Sequence, residues 1–288
     1  MNNILEIKKL EKTLGDFKLG PINLSLKRGS IMGFIGENGA GKSTTINLIL
    51  EEIKKDGGEI KIFGKKIEDL TEDEKFKIGF VFDDLFLPQD MTIGELEKFH
   101  ALTYKKIWDR DLFFSLCQSF KLDKGKKIKD LSRGMKMKLA LNFALSHHPD
   151  LLILDEATSG LDPVARDDIL DILYDFIQDE NKSILISSHI LSDLEKIADD
   201  ISFIHKGEIL FSENKDELKD KYGLISLDRE KMDSLDKKAL IAKRQGKFAS
   251  EALVIKDKLP QNLEVLNASI EDIMVYMTKE KYNESIDI

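Results

Sequence analysis

The chain has 288 residues, enough for one large domain and a small appendage. Apolar residues make up 42% and charged residues 34%, an ordinary globular composition, and a net charge of −9 disfavours broad electrostatic binding to nucleic acid, though not a local basic patch. One cysteine, Cys117, rules out a disulfide framework within the chain and fits a reducing cytoplasm; set among Leu112, Phe113, Leu116 and Phe120, it reads as a small buried hydrophobe. No apolar run approaches the ~20 residues of a membrane span. The start, MNNILEIKKLEK, carries charge where a signal peptide needs its apolar core. Any membrane role is therefore expected to run through a partner.

The first clear strand is SIMGFI at 30–35, and GENGAGKS at 36–43 follows it directly. This matches G-x-x-x-x-G-K-[ST] between a strand and a helical pattern, TTINLIL. Gly36, Gly39 and Gly41 let the backbone wrap tightly and aim amides at phosphate oxygens. Glu37, Asn38 and Ala40 complete the loop, Lys42 places a cation at the β/γ-phosphates, and Thr44 continues the helix start. The Ser43 hydroxyl suits Mg²⁺. A second strand, KIGFVF, lies at 77–82, and residues about 92–146 then read as entirely helical. Thr92 and Glu95 form a capping box ahead of Leu96 and Phe99. Within this stretch, DLSRGMKMKL at 130–139 opens a helix that Ser132 can cap, leaving amides suited to an anion. Taken alone, it is an ordinary helix start.

LLILDE at 151–156 is a buried strand with Asp155 and Glu156 emerging at its end. After a phosphate loop, Asp155 is expected to hold Mg²⁺ through water, and Glu156 to orient or deprotonate an attacking water. Asp162 and Pro163 supply the cap and first position of a helix carrying Ile169, Ile172, Leu173 and Phe176. SILIS at 183–187, DISFIH at 200–205 and EILF at 208–211 are further strands. His189, at the end of one of them, should reach the same crevice and position Glu156, the water or a γ-phosphate. Strands alternating with helices imply a mostly parallel α/β core. Beyond residue 222 the text becomes short and mixed, ending in an amphipathic helix with Ile270, Ile273, Met274 and Met277.

In the order GENGAGKS, LSRGM, LLILDE, SGLD, ISSH, these motifs resemble the nucleotide-binding subunits of ATP-binding cassette (ABC) transporters over roughly residues 1–220. The resemblance implies a P-loop NTPase core with an N-terminal antiparallel β subdomain, the helical insertion and a small C-terminal α+β appendage. The nucleotide-binding domain is expected at 1–222 and an accessory region at 223–288. It implies ATP and Mg²⁺ as ligands, and a head-to-tail dimer, homomeric or heteromeric, with two ATPs sandwiched between phosphate loop and signature. Ser132, Arg133, Gly134 and Met135, with the loop Ser159, Gly160, Leu161 and Asp162, would then act on nucleotide held by the other subunit. An integral membrane permease is the implied partner, with the chain cytoplasmic and peripheral on the inner face of the membrane, and no nucleic acid is expected. Phe86, Leu87, Met91 and the helix from Thr92 to Tyr104 either dock that permease or pack internally.

The departures from the family pattern are specific. Arg133 and Met135 replace the Gly and Gln of the common LSGGQ signature; Arg133 either pairs with the partner's nucleotide or points to solvent. Ala157 replaces a proline after the acids. The Q-loop glutamine position falls on Asp83, or on Asp84. The adenine-stacking aromatic falls on Leu14; either Phe17 substitutes for it, or Phe17 is core and adenine packs on Leu14. SRGMKMKLAL, DEATSGLDPVAR and SSHILSDLEKIADDI most resemble bacterial ABC-2-type exporters, within them the subset linked to antimicrobial or amphipathic peptides.

Three other classes compete. A soluble ABC ATPase acting on ribosomes or DNA would need a second cassette or long coiled coils, and this chain has one P-loop and no sustained heptads. A GTPase or kinase lacks LSRGM, and Asn214-Lys215-Asp216 lacks the spacing of a guanine-reading motif. A non-hydrolysing regulatory module would not need Lys42, Asp155, Glu156 and His189 together.

Overall fold

The computed structural model describes residues 3–83, 86–245, 249–260 and 263–283. β1 (Asn3–Leu14) and β2 (Phe17–Lys27) pair antiparallel about a tight turn. β3 (Ile31–Ile35) feeds α1 (Lys42–Ile49). β4 (Gly57–Ile62) and the short β5 (Lys65–Lys66) return to β1, completing an antiparallel sheet in the order β2-β1-β4-β5. A Thr71–Glu74 capping box starts α2 (Glu72–Lys75), which leads to β6 (Ile78–Val81).

The helical insertion comprises α3 (Ile93–Tyr104), α4 (Arg110–Ser119) and α5 (Arg133–Leu145), joined by loops and single 3₁₀ turns. Thr92 and Glu95 make the expected capping box, and Asp109 caps α4. These helices enclose a core of their own, including Trp108, Phe113, Leu139 and Phe143. Glu97 is buried there but fully engaged: Trp108 Nε1 donates to Oε1 at 3.1 Å and Arg110 Nη2 to Oε2 at 3.3 Å. Cys117 lies in the same core, where burial pushes its thiol up to about 11.

The chain then runs through β7 (Leu151–Asp155), α6 (Pro163–Phe176), β8 (Ser183–Ser188), α7 (Leu191–Ile197), β9 (Asp200–His205) and β10 (Glu208–Asn214). The second sheet has the order β10-β9-β3-β8-β7-β6 and is parallel except for β10. Successive residues of its inner strands enter opposite cores. Ile31 and Ile35 of β3, Leu152 and Leu154 of β7, and Ile184 and Ile186 of β8 face one cluster. Met32, Phe34, Leu151, Ile153 and Leu185 face another, shared with the antiparallel β layer. Both faces being covered, these strands read as unbroken apolar runs.

α8 (Lys215–Lys221) leads to β11 (Tyr222–Leu227), α9 (Arg229–Asp233), β12 (Leu240–Gln245), β13 (Ser250–Ile255), β14 (Leu266–Asn267) and α10 (Ile270–Asn283). Their sheet, β12-β13-β11-β14, is antiparallel. Leu253, Ala268, Ile270, Ile273 and Tyr276 join the buried cluster that holds Leu152 and Leu154 of β7, so this region packs on the main core.

Register aligns the strand ends. Asp155 of β7 lies opposite Ser187 of β8, and Ser188 lies opposite Ile35 of β3. Three adjacent parallel strands therefore stop at one level. Gly36, Glu156 and His189 leave the sheet along the same edge, where open α/β sheets bind ligands.

Candidate active site

The loop after β3 is shaped by steric limits. A Cβ on Gly36 would lie 2.5 Å from the Ile204 carbonyl oxygen, and Gly41 stands at φ +114°, a conformation open only to glycine. Gly41 is the N-cap of α1 and offers no side-chain cap, so the first amides of the helix remain available to an anion. Lys42 is nearly buried and donates to the Gly36 carbonyl oxygen at 2.8 Å. Glu37, Asn38, Gly39 and Ser43 are exposed, Thr44 is half-buried and Ala40 is buried.

The acids stand opposite this loop. Ser187 Oγ donates to Asp155 Oδ1 at 2.5 Å and accepts from the Glu156 amide at 3.1 Å. One hydroxyl thus fixes both residues, a role the sequence reading missed; its only sequence trace is a serine at the strand end in ISSH. Glu156 has φ +53°, an uncommon conformation for a side-chain-bearing residue, and turns its carboxylate back over the strand edge. Glu156 Oε1 lies 3.2 Å from Lys42 Nζ, and Oε2 lies 2.6 Å from His189 Nδ1. An ammonium, two carboxylates and an imidazole, those of Lys42, Asp155, Glu156 and His189, thus converge, linked by ion pairing and by hydrogen bonds through Ser187.

Phe17 flanks the phosphate loop. A Cβ on Gly41 would meet Phe17 Cζ at 3.2 Å, so this ring lies beside the phosphate loop. Leu14, its cross-strand neighbour, is 43% exposed.

The LSRGM segment forms a separate cluster. Ser132 caps α5, accepting from the Met135 amide at 3.2 Å. Gly134 allows close approach to α6, since a Cβ there would sit 3.0 Å from Ala165 Cβ. Arg133 is half exposed and is also engaged locally. It pairs within its own chain, Nη2 lying 2.5 Å from Asp83 Oδ1, while Nε donates to the Ser159 carbonyl oxygen at 3.1 Å. Asp84, the other Q-loop candidate, lies outside the described residues. The loop that follows the acids is tied back by the Ser159 amide bonding the Glu156 carbonyl at 3.0 Å. Gly160 has φ +66°, Leu161 is buried, and Asp162 accepts from the Val164 and Ala165 amides to cap α6.

Phe80, Phe82, Phe86, Leu87, Met91 and Phe99 line part of an apolar groove of 510 Å³ between β6 and the helical insertion. Phe86 is 90% and Phe99 62% exposed, so these rings are not all internal packing.

A phosphate loop on a central parallel strand, a histidine and an acid pair on the next two strands, an antiparallel β layer and a helical insertion together define a P-loop ATPase of the ATP-binding-cassette type. Comparison with known proteins agrees. The ABC transporter family profile matches residues 19–159. The bacitracin transport ATP-binding protein BcrA of Bacillus licheniformis is 34% identical over 215 residues, covering 73% of this chain and 69% of that protein. The lantibiotic transport ATP-binding protein SrtF of Streptococcus pyogenes is 32% identical over 224 residues, covering 75% and 95%. A solved dimeric ATP-binding cassette in a post-hydrolysis state with ADP and Pi superposes with a TM-score of 0.64 at 25% identity, covering 73% and 98%. The chain belongs to the ABC transporter family, as an ATP-binding subunit that hydrolyses ATP.

Proposed function

We propose that this chain is the motor of an exporter for antimicrobial or other amphipathic peptides, closing as a dimer around two Mg-ATP and driving a separate membrane subunit. The observation that carries the reading is the convergence of Lys42, Glu156 and His189 beside the phosphate loop. ATP arriving there places its γ-phosphate near Lys42, which can exchange its ion pair with Glu156 for one with phosphate. Glu156 is then free to orient and deprotonate the attacking water, and His189 holds its other oxygen. The adenine packs against Phe17, with Leu14 beside it.

Ser43 and Asp155 offer a hydroxyl and a carboxylate oxygen, the hard donors that Mg²⁺ takes, with substrate phosphates and water completing its shell. When bound, Mg²⁺ supplies positive charge at the β- and γ-phosphates.

The exposed N-terminus of α5, capped by Ser132, supports a role as phosphate receptor for the partner subunit. Two-sided phosphate contact favours the closed dimer over the open one, and that difference in affinity is what can perform work. The apolar groove suits a short helix of the membrane subunit, since apolar surface of this kind fits a docked partner. No described helix is long and apolar enough to cross a membrane. On this reading the chain is held at the inner membrane face by its permease. The export of antimicrobial peptides rests on the relatives named for bacitracin and lantibiotic transport.

The test is affinity capture of the tagged full chain from mild-detergent extracts. A polytopic membrane protein should copurify, and bacitracin or a lantibiotic should stimulate ATP hydrolysis by the complex. Capture of ribosomes or DNA instead, with no membrane protein, would overturn the reading.

A further inference from the structure

Two positions where this chain departs from the common ABC pattern touch each other. Arg133 stands where the signature has glycine, and Asp83 is one of the two residues, with Asp84, on which the Q-loop glutamine position was expected; Arg133 Nη2 lies 2.5 Å from Asp83 Oδ1. The same guanidinium donates from Nε to the Ser159 carbonyl oxygen at 3.1 Å. It also lies close to Gly160, where a Cβ would meet Nε at 3.2 Å and Cζ at 3.4 Å. Gly160, at φ +66°, is the residue that leaves room for this approach. One side chain therefore spans three segments: the loop after β6, the first turn of α5 and the loop between β7 and α6.

The geometry points to Asp83 and Arg133 as a positioning pair, a brace that holds the Ser132 end of α5 in register with the Ser159–Asp162 loop inside each subunit. Stability alone does not account for it. Both side chains are about half exposed, at 50% and 45%, and an exposed ion pair contributes little to stability. Its value is directional. A guanidinium is a rigid planar fork, so bonding Asp83 and Ser159 at once fixes their relative orientation in a way an ammonium cannot. The Ser159 amide is bonded to the Glu156 carbonyl, so the brace ends one hydrogen bond away from the proposed general base. The pair also keeps the Arg133 cation engaged within its own subunit and neutralises Asp83. Glutamine with glycine would be a neutral alternative that needs no such pairing. This inference rests on the reading that the Ser132 end of α5 serves ATP held by a second subunit.

The experiment is a double-variant cycle on the purified full chain, measuring ATP turnover, KM, ATP-dependent dimerisation and melting temperature. Arg133→Gly leaves Asp83 unneutralised, and Asp83→Gln leaves Arg133 unpaired. Each single change should lower kcat by at least about tenfold with KM changed less than about threefold, because positioning rather than binding is lost. Asp83→Gln with Arg133→Gly should be no worse than the poorer single variant, the signature of coupled residues. Arg133→Lys keeps the charge but not the fork and should fall with the Arg133→Gly variant. Melting temperatures near wild type would confirm that all four proteins fold; the exposed positions make this the expectation. Losses that multiply in the double variant, or wild-type kcat in Arg133→Gly, overturn the brace. A raised KM with unchanged kcat overturns it in favour of direct nucleotide contact. If wild type itself neither dimerises with ATP nor gains specific turnover with protein concentration, the dimer reading fails and takes the brace with it. Dimerisation in wild type with multiplicative losses sinks the brace alone.

Discussion

Lys42 and Glu156 face each other at 3.2 Å, Nζ to Oε1, with only 6% and 12% of their side chains exposed. The second carboxylate oxygen is held by His189 Nδ1 at 2.6 Å. A buried pair of this kind is weak support for stability but a strong constraint on where charge can go when a phosphate enters. Glu156→Gln keeps the size and hydrogen bonding of the side chain while removing its charge and basicity. Turnover should drop by roughly 10²–10⁴-fold, the usual cost of losing a positioned general base. ATP affinity should hold or rise, since Lys42 no longer has a competing carboxylate. The closed dimer should then accumulate in Mg-ATP as an earlier-eluting species on size exclusion, while Lys42→Ala should show no such shift. Wild-type turnover in Glu156→Gln would remove this residue from the mechanism.

Ser132 has two duties that a well-chosen substitution can separate. Its hydroxyl caps α5 through the Met135 amide, and its proposed second role is contact with a phosphate held by the partner. Asp is as good an N-cap as Ser, so Ser132→Asp should leave the melting temperature nearly unchanged. It brings negative charge to a phosphate receptor, and loss of such a stabilising contact costs roughly 10²–10³-fold in rate. Nucleotide binding by the isolated subunit should persist, because the phosphate loop is untouched. Normal hydrolysis by a folded Ser132→Asp protein would show that LSRGM is a helix start and nothing more.

Much of this architecture is written locally in the chain, and what is not has an identifiable cause. β7, β8 and β9 read as strands because both of their faces are buried: LLIL is wholly apolar, and in DISFIH even Asp200, Ser202 and His205 are buried between apolar neighbours. The caps at Thr92, Ser132 and Asp162 are short-range chemistry and were equally legible. β1 was not read from its own pattern. Its pairing with β2 shifts register at three places, so the alternation of NILEIKKLEKTL breaks down and the β layer was expected only by family resemblance. Asp83 and Arg133 are 50 residues apart and share no period, so their pairing leaves no trace in the sequence. His147, in the turn before Pro149, is buried and stacked on Tyr104 at 4.4 Å, a contact 43 residues apart that no local pattern announces.

That buried histidine and His100 carry the last prediction. His100 stacks on Phe143 at 4.1 Å and His147 on Tyr104, all four lining the apolar groove. Burial lowers both imidazoles from an ordinary 6.5 to about 4, and the two also disfavour each other's charge. In the unfolded chain each takes up a proton near pH 6.5, while in the folded protein each stays neutral until about pH 4. The unfolded state therefore binds more protons across that interval, and stability must rise with pH through it. Full stability is present above about pH 6.5 and is lost progressively on acidification. Between pH 6.5 and 5 the loss should be roughly 1–2 kcal/mol per histidine. Asp109 and Glu95, held low by hydrogen bonds from Leu112 and Thr92 respectively, remain ionised there and do not contribute. Chemical denaturation at pH 7.5, 6.5, 5.75 and 5 should show this fall in wild type. His100→Phe combined with His147→Phe keeps the stacked rings but removes the titrating nitrogens, so its stability should be nearly flat over the same range. An equal acid slope in wild type and the double variant would assign the titration to other groups.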